Sequence, residues 1–413
     1  MQVRMQGTLK KAIMGLVVAG LALGAAEVAL RVTLGPPAPS RLVRQLWNAR
    51  DPAFTERDGQ VQATFQDNDM IPAFSATPAP GIVRVMVFGE SSVRAGSQIP
   101  LAQEFPALLE AGLREKGIQA EVLNLGRPGM DSYGLKILVE QALAYKPDIA
   151  VIYTGHNDIG NAYMTSRFGD VQSALVGRLQ STVDQLQLYA LLRSAVGKAK
   201  PEQFVPDAML MHRADPLPPV QRRLAEQDFE RNLSWIVRDL KAHGVRVVLS
   251  TVGSMLTRWN AGHAACEEAL PPGTWQSAGM RAMLNQDAVS LDQANAALAA
   301  APDCPEALFL RGLREAEKGQ TDAARADLIR ARDLDRVPLR ATSGIIDGIK
   351  QVAAEEGTPL ADFEAAVYKD LDHAWLFADV VHLSADGHVL VAATLWPLVA
   401  GQAAEVAATR STR

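Results

Sequence analysis

Residues 82–92 read Ile-Val-Arg-Val-Met-Val-Phe-Gly-Glu-Ser-Ser. Apart from Arg84, the first seven are apolar. They form a run of strand length without alternation, as expected of a strand buried on both faces. The run stops at Gly89, and an acid and two hydroxyls follow. Outward from this stretch the chain alternates. A helix is predicted over 105–116, a strand over 120–125, a helix over 135–146 and a strand over 148–154. Then come a long amphipathic helix over 219–242 and a strand over 245–252. A helix over 342–356, a short strand over 359–363 and a helix over 386–400 complete the pattern. Such alternation predicts a doubly wound parallel sheet with helices on both faces, an α/β/α sandwich. Reactive groups in such sheets collect at the carboxyl ends of the strands.

Four polar clusters fall at those ends: Gly89-Glu90-Ser91-Ser92, Gly126 to Ser132, Gly155-His156-Asn157-Asp158 and, before the last helix, Asp379-Val380-Val381-His382-Leu383. A serine hydroxyl needs an adjacent base to act as nucleophile at neutral pH. Histidine can take that proton and return it to a leaving group. A carboxylate orients the imidazole and steadies its charged form. An oxyanion needs preorganised N–H donors. Ser91, His382 and Asp379 are the candidates for the first three roles. The Ser91 and Gly129 amides and the Asn157 side chain are candidates for the fourth. Ser92 adjoins Ser91, and the spacing from Gly89 favours Ser91. Each cluster also has a plainer reading. Gly-Glu-Ser after a strand can be a helix cap, Gly129 can serve a tight turn, and Asn157 and Asp158 can shape a loop. His212, His243, His263 and His373 read as surface histidines, and His156 and His388 as scaffold. The joint occurrence of the four clusters favours the catalytic reading for Ser91, Asp379 and His382.

These blocks, in this order, resemble the SGNH hydrolases, also called GDSL esterases and lipases. Gly-Glu-Ser at 89–91 stands where that superfamily has Gly-Asp-Ser. Asn124 and Gly129 match its Asn-x-x-x-x-Gly, 155–158 its Gly-x-Asn-Asp, and 379–383 its Asp-x-x-His-Leu. The resemblance covers roughly 81–265 and 340–400. It implies a flavodoxin-like fold, acyl-ester hydrolysis or transfer without metal or cofactor, a triad of Ser91, His382 and Asp379, and an oxyanion hole of Ser91, Gly129 and Asn157. Glu90 departs from the pattern, and the longer acid reads as tolerated. No G-x-S-x-G is present, which excludes the ordinary α/β-hydrolase elbow.

The chain has 413 residues, 48% of them hydrophobic, and a formal charge of −5. That length suits two to three domains, or one large domain with an insertion. The charge balance excludes a nucleic-acid binder of the basic-patch kind. Cys266 and Cys304 are the only cysteines, and without C-x-x-C a structural zinc site is not expected. Whether they pair stays open.

Arg4, Lys10 and Lys11 precede the wholly apolar stretch Ala12 to Ala26. Residues 1–34 therefore read as a cytoplasmic stub and a signal-anchor transmembrane helix, with everything after it exported. A cleaved signal peptide is the alternative. Glu27 and Arg31 lie one turn apart and can pair. Residues 35–80 read as a tether, 81–274 and 341–413 as the two parts of the hydrolase domain, and 275–340 as an alanine-rich, strand-free helical insertion. Within the insertion, Leu308, Gly312, Ala324, Leu328 and Ala331 fall at tetratricopeptide spacing with Gly319 at the turn, while Arg311 and Glu315 depart from it.

Three functions follow. The first is an esterase at the cell membrane, with its catalytic domain extracytoplasmic, cleaving an acyl ester of a small molecule, glycan or lipid, an acetyl ester among them. The second is an acyltransferase to an envelope polysaccharide. The third is an idle scaffold that binds a protein partner through the insertion.

Overall fold

A computed structural model of the chain describes residues 2–34, 53–63, 73–94, 99–164, 219–257, 289–335 and 339–411, with short stretches between 183 and 192 and between 266 and 284. Helix α1 (Gln2–Leu34) comes first. Strands β1 (Phe54–Arg57), β2 (Gln60–Ala63) and β3 (Phe74–Ser75) form a small antiparallel sheet. Then follow β4 (Val83–Glu90), α2 (Phe105–Glu115), β5 (Ala120–Arg127), α3 (Ser132–Ala142), β6 (Ile149–Tyr153), α4 (Asn157–Met164), α5 (Pro219–Ala242) and β7 (Arg246–Ser250). A hairpin, β8 (Trp275–Ala278) and β9 (Arg281–Leu284), precedes three helices, α6 (Leu291–Ala300), α7 (Pro305–Glu317) and α8 (Thr321–Asp333). The chain closes with α9 (Ser343–Glu355), β10 (Leu360–Ala361), α10 (Phe363–Val367) and α11 (Ala385–Ser411).

The main sheet is parallel throughout, in the order β10-β7-β6-β4-β5. From β4 the chain steps outward to β5, returns past β4 to β6, and then continues the other way. Right-handed crossovers put the connecting helices of those opposite steps on opposite faces. Accordingly α2 packs with α11, while α3, α5 and α9 pack together. The reversal opens a crevice between the carboxyl ends of β4 and β6. Every residue of β4 is buried, as its nearly continuous apolar run predicts. In α5 the buried Leu224, Phe229, Leu233, Ile236 and Leu240 recur at helical spacing and form its sheet-facing stripe.

Arg84 is the exception inside β4, and it changes the reading of what precedes it. Its guanidinium is fully buried. It donates to Ser75 O (2.7 Å), Tyr145 O (2.6 Å) and Glu121 Oε2 (2.8 Å), and it lies over the Phe74 ring. Phe54, Phe74 and Tyr145 form an edge-to-face cluster beside it. Within the stretch expected as a tether, residues 75–76 bring acceptors that a buried cation needs, and 53–63 pack beside them through the β1–β3 sheet and Phe54. Arg84→Ala is expected to destabilise the protein by about 3–5 kcal/mol, read as a lowered urea midpoint.

The stretch expected to be strand-free holds the β8–β9 hairpin. In the helical stretch after it, α7 and α8 form an antiparallel pair. A Cβ on Gly312 would run into Leu328, so the small residue lets the two helices approach. Arg311 and Glu315 depart from the repeat pattern for a local reason. Arg311 pairs with Asp327 on α8 and lies near Glu315 on its own helix. Cys266 and Cys304 form a disulfide with Cα atoms 5.7 Å apart, which joins the loop after β7 to the start of α7.

Arg31 and Glu27 of α1 pair at 2.6 Å, and Glu27 also accepts from the amides of Gln187 and Leu188. Met14, Val17, Val18, Leu21, Leu23, Val28 and Val32 of α1 are exposed. Helix α11 is by length and composition apolar enough to cross a bilayer. Its Val391, Leu395, Val399 and Ala403 are nonetheless fully buried at four-residue spacing. Its far end is pinned by Arg246 to Glu405 and by Arg410 to Asp148. That is the pattern of a helix covering one face of the sheet.

Candidate active site

Ser91 is the first residue after β4 and is half-buried. Gly89 precedes it because nothing larger fits: a Cβ there would meet the carbonyl oxygen of Tyr153 on β6 and the side chain of Val93. Ser91 Oγ lies 2.8 Å from His382 Nε2, and His382 Nδ1 lies 2.6 Å from Asp379 Oδ2. Asp379 Oδ1 accepts from the amides of Val381 (2.9 Å) and His382 (2.8 Å), so one carboxylate holds both the ring and its backbone. The structure thus brings together the three residues named from the sequence, across 291 positions of chain. Ser92, the neighbouring candidate, is 1% exposed, and its Oγ has no partner among the described residues. It does not share the His382 contact.

Partial burial works to raise the Asp379 carboxyl. The His382 ring and the amides of His382 and Val381 outweigh it and hold the group down at about 2. Asp379 is therefore ionised wherever the imidazole can act as a base. A depressed carboxylate adds stability above its ordinary value of 3.8 that is lost as pH falls through about 2. The Tm difference between wild type and Asp379→Asn is thus expected to narrow as pH drops from about 4 towards 2. A difference that stays constant over that range contradicts this account of the carboxylate.

The second and third polar clusters meet at Asn157. Gly129 has φ +72°, which a side chain would strain. Asn157 Nδ2 donates to Glu90 Oε2 (2.6 Å) and to Met130 O (3.0 Å). Both of its amide hydrogens are engaged, so an oxyanion that Asn157 is to bind must share or displace one of these partners. Asp158 is buried and accepts from the Ser132 amide and hydroxyl, which ties the third cluster to the second. Asn161 does the same from Nδ2 to Gly129 O (2.9 Å).

Glu90 is what the sequence reading missed. It is fully buried. Oε1 accepts from the amides of Gly155 (3.1 Å) and His156 (2.8 Å), and Oε2 from the amide (3.1 Å) and side chain of Asn157. Burial raises its carboxyl above the usual range. The nearby Asp158 charge adds to that, while the amides of His156, Asn157 and Gly155 act the other way. The one available signal was its departure from the expected aspartate: a longer acid can reach a loop that a shorter one would miss. His156 also has a contact, accepting the Ala341 amide at Nδ1 (3.1 Å), and burial pushes it down to about 3. His388 accepts the Phe105 amide at Nδ1 (3.1 Å) and stacks on that ring. His373, expected at the surface, is buried and accepts the Leu256 amide at Nε2 (3.2 Å).

The arrangement can move a proton from a serine hydroxyl to an imidazole braced by a carboxylate, beside a loop rich in N–H donors. The sequence profile of the GDSL-like lipase/acylhydrolase family matches residues 87–334, more than half of the chain. The chain belongs to that family. It is accordingly a serine hydrolase acting on ester bonds. The match includes Ser91, Gly129 and Asn157 and ends before Asp379 and His382. A search of curated proteins returns no match. Solved structures similar to this GDSL-like chain include an acetyl xylan esterase, AlAXEase, at 16% identity, covering 77% of this chain and 100% of that one with a TM-score of 0.35. Another is the lipase/acylhydrolase from Enterococcus faecalis, at 14% identity, 78% and 96% coverage and a TM-score of 0.37. A third is an acetylxylan esterase from Geobacillus stearothermophilus, at 15% identity, 76% and 92% coverage and a TM-score of 0.37.

Proposed function

We propose that this GDSL-like protein is an extracytoplasmic esterase in which Ser91 is the nucleophile, His382 the general base and acid, and Asp379 the residue that orients the imidazole. The observation that carries this reading is the unbroken contact from Ser91 Oγ through His382 to Asp379, at 2.8 and 2.6 Å. Ser91 Oγ attacks the ester carbonyl as His382 Nε2 takes its proton. The oxyanion is met by N–H groups of Ser91, Gly129 and Asn157. The tetrahedral species collapses, the C–O bond to the alcohol breaks, and His382 returns the proton to the leaving alkoxide. Water then adds to the acyl-serine with His382 as base, and the acid and free serine are released. His382 and Asp379 keep 26% and 45% of their side chains exposed, which supports access of water and hydrolysis over transfer.

The 33-residue α1, with basic residues at its start and exposed apolar side chains along it, supports an N-terminal anchor that leaves the hydrolase on the outer side of the membrane. On this reading 275–340 is an insertion that divides the hydrolase domain, with α7 and α8 as its tetratricopeptide-like pair and a surface for a protein partner. The test is turnover of p-nitrophenyl acetate by the full chain in detergent, acetyl being the first acyl group to try. Release of p-nitrophenol at a rate that falls with Ser91→Ala is the expected result. A folded chain without turnover on acetyl or longer acyl esters would overturn the esterase reading.

A further inference from the structure

The three proposed catalytic residues come from opposite ends of the chain. Ser91 is fixed by β4, but His382 and Asp379 lie on an irregular segment that no strand of the main sheet holds. That segment closes on itself through the Phe377–Leu383 bridge and the Ala378 amide on His382 O (2.8 Å). Leu383 anchors it in the core, and one backbone hydrogen bond ties it to the stretch after β7: the Met255 amide donates to Val380 O (3.0 Å). Met255 lies beyond β7, on a stretch without regular structure.

The other side of Met255 is held by a buried cation. Arg340 is 4% exposed. Its Nη1 donates to Met255 O (3.1 Å) and its Nη2 to Asp335 Oδ2 (3.2 Å). Asp335 follows α8, and Arg340 stands just before α9. One guanidinium therefore spans the exit of the helical stretch 289–335 and the residue that carries the His382 segment. The next amide, Ala341, donates to His156, inside the loop that Glu90 braces. The same junction is sealed by Arg332, which is 1% exposed and reaches Ser343 Oγ (2.8 Å) and Tyr368 Oη (3.3 Å), and by Arg325 on Tyr368 O (2.9 Å). Arginine suits the position because its planar fork aims two donors at two fixed acceptors.

We propose that Arg340 is a positioning residue for the hydrolysis: through Met255 it holds the Asp379–His382 segment within reach of Ser91, and it makes correct seating of the helical stretch 289–335 a condition for turnover. The proposal rests on Ser91, His382 and Asp379 being the triad. A displacement of about 1 Å at a reacting group costs up to about hundredfold in rate while leaving substrate binding nearly untouched. The effect should thus fall on kcat and not on KM.

The experiment uses the full chain in detergent, with Arg340→Met, Arg340→Lys, Asp335→Ala and Ser91→Ala beside wild type. It reads kcat and KM on p-nitrophenyl acetate and the rate of labelling by a fluorophosphonate. Arg340→Met, which keeps the apolar stem, is expected to lose about tenfold or more in kcat with KM within about twofold, and to label more slowly by a similar factor. Arg340→Lys, which keeps the charge and one donor site but not the fork, recovers part of that loss. A wild-type kcat and labelling rate in a folded Arg340→Met overturns the proposal, as does a loss confined to KM. Should Arg340→Met not fold, Asp335→Ala decides, since it removes one anchor of the fork and leaves the Met255 bond. A lowered kcat there supports the proposal and a wild-type kcat overturns it. Turnover that survives Ser91→Ala, by contrast, refutes the triad reading itself, whatever Arg340 does.

Discussion

Ser91→Ala is expected to lower kcat/KM on an activated ester by about 10⁴-fold or more, with the protein still folded. The size follows from the geometry. The hydroxyl is the one atom in the cluster that can form a covalent acyl intermediate, and His382 Nε2 has it at 2.8 Å. Removing Oγ leaves the base, the carboxylate and the N–H donors in place. What remains is the modest acceleration that binding and oxyanion stabilisation supply without a nucleophile. Stability should barely change, because Ser91 is half-buried and the hydroxyl is not part of the core. Steady-state kinetics and a thermal melt on the same preparation check both halves. Ser92→Ala serves as the control, and it should keep turnover within a few-fold of wild type.

Glu90→Ala is the second large effect, and it is of another kind. The carboxylate is fully buried and accepts four N–H groups from three consecutive residues, Gly155 to Asn157. Deleting it leaves those donors without partners in a site closed to bulk water, at about 1–3 kcal/mol each, though such penalties do not add. A loss of about 3–5 kcal/mol is expected. Activity should fall as well, by about 10²–10³-fold, the range seen when one oxyanion donor is lost, because Asn157 is released from its placement. Glu90→Gln keeps the shape but turns an NH₂ group towards N–H donors, so it should fall between wild type and alanine. Urea unfolding and kcat/KM measured together test this. A Glu90→Ala variant with wild-type midpoint and turnover would show that the four contacts are incidental.

These two residues also mark where the sequence was legible and where it was not. The nearly continuous apolar run of β4 fixes a doubly buried strand locally, so its place inside a parallel sheet could be read directly. The meeting of Ser91, Asp379 and His382 was legible because the chemistry limits which residue types can stand together at strand ends. Glu90 was not. As a single acid beside the proposed nucleophile it looked like a tolerated substitution, and its partners lie more than sixty positions away. The small β1–β3 sheet was hidden for a similar reason. Arg84 signalled that a buried cation needed acceptors, but nothing local said that Ser75 and Tyr145 would provide them. The short β8–β9 hairpin was lost in an alanine-rich stretch dominated by helix signals. His373 looked like one more polar surface residue, and its burial depends on the amide of Leu256, 117 positions away.

The central claim is that one serine, not its neighbour, carries the acyl group. Labelling the full chain with a fluorophosphonate and locating the adduct by peptide mass spectrometry tests this directly. A single adduct on Ser91, abolished in Ser91→Ala and in His382→Ala, is the expected result. An adduct on Ser92, or undiminished labelling when Ser91 is replaced, would contradict it.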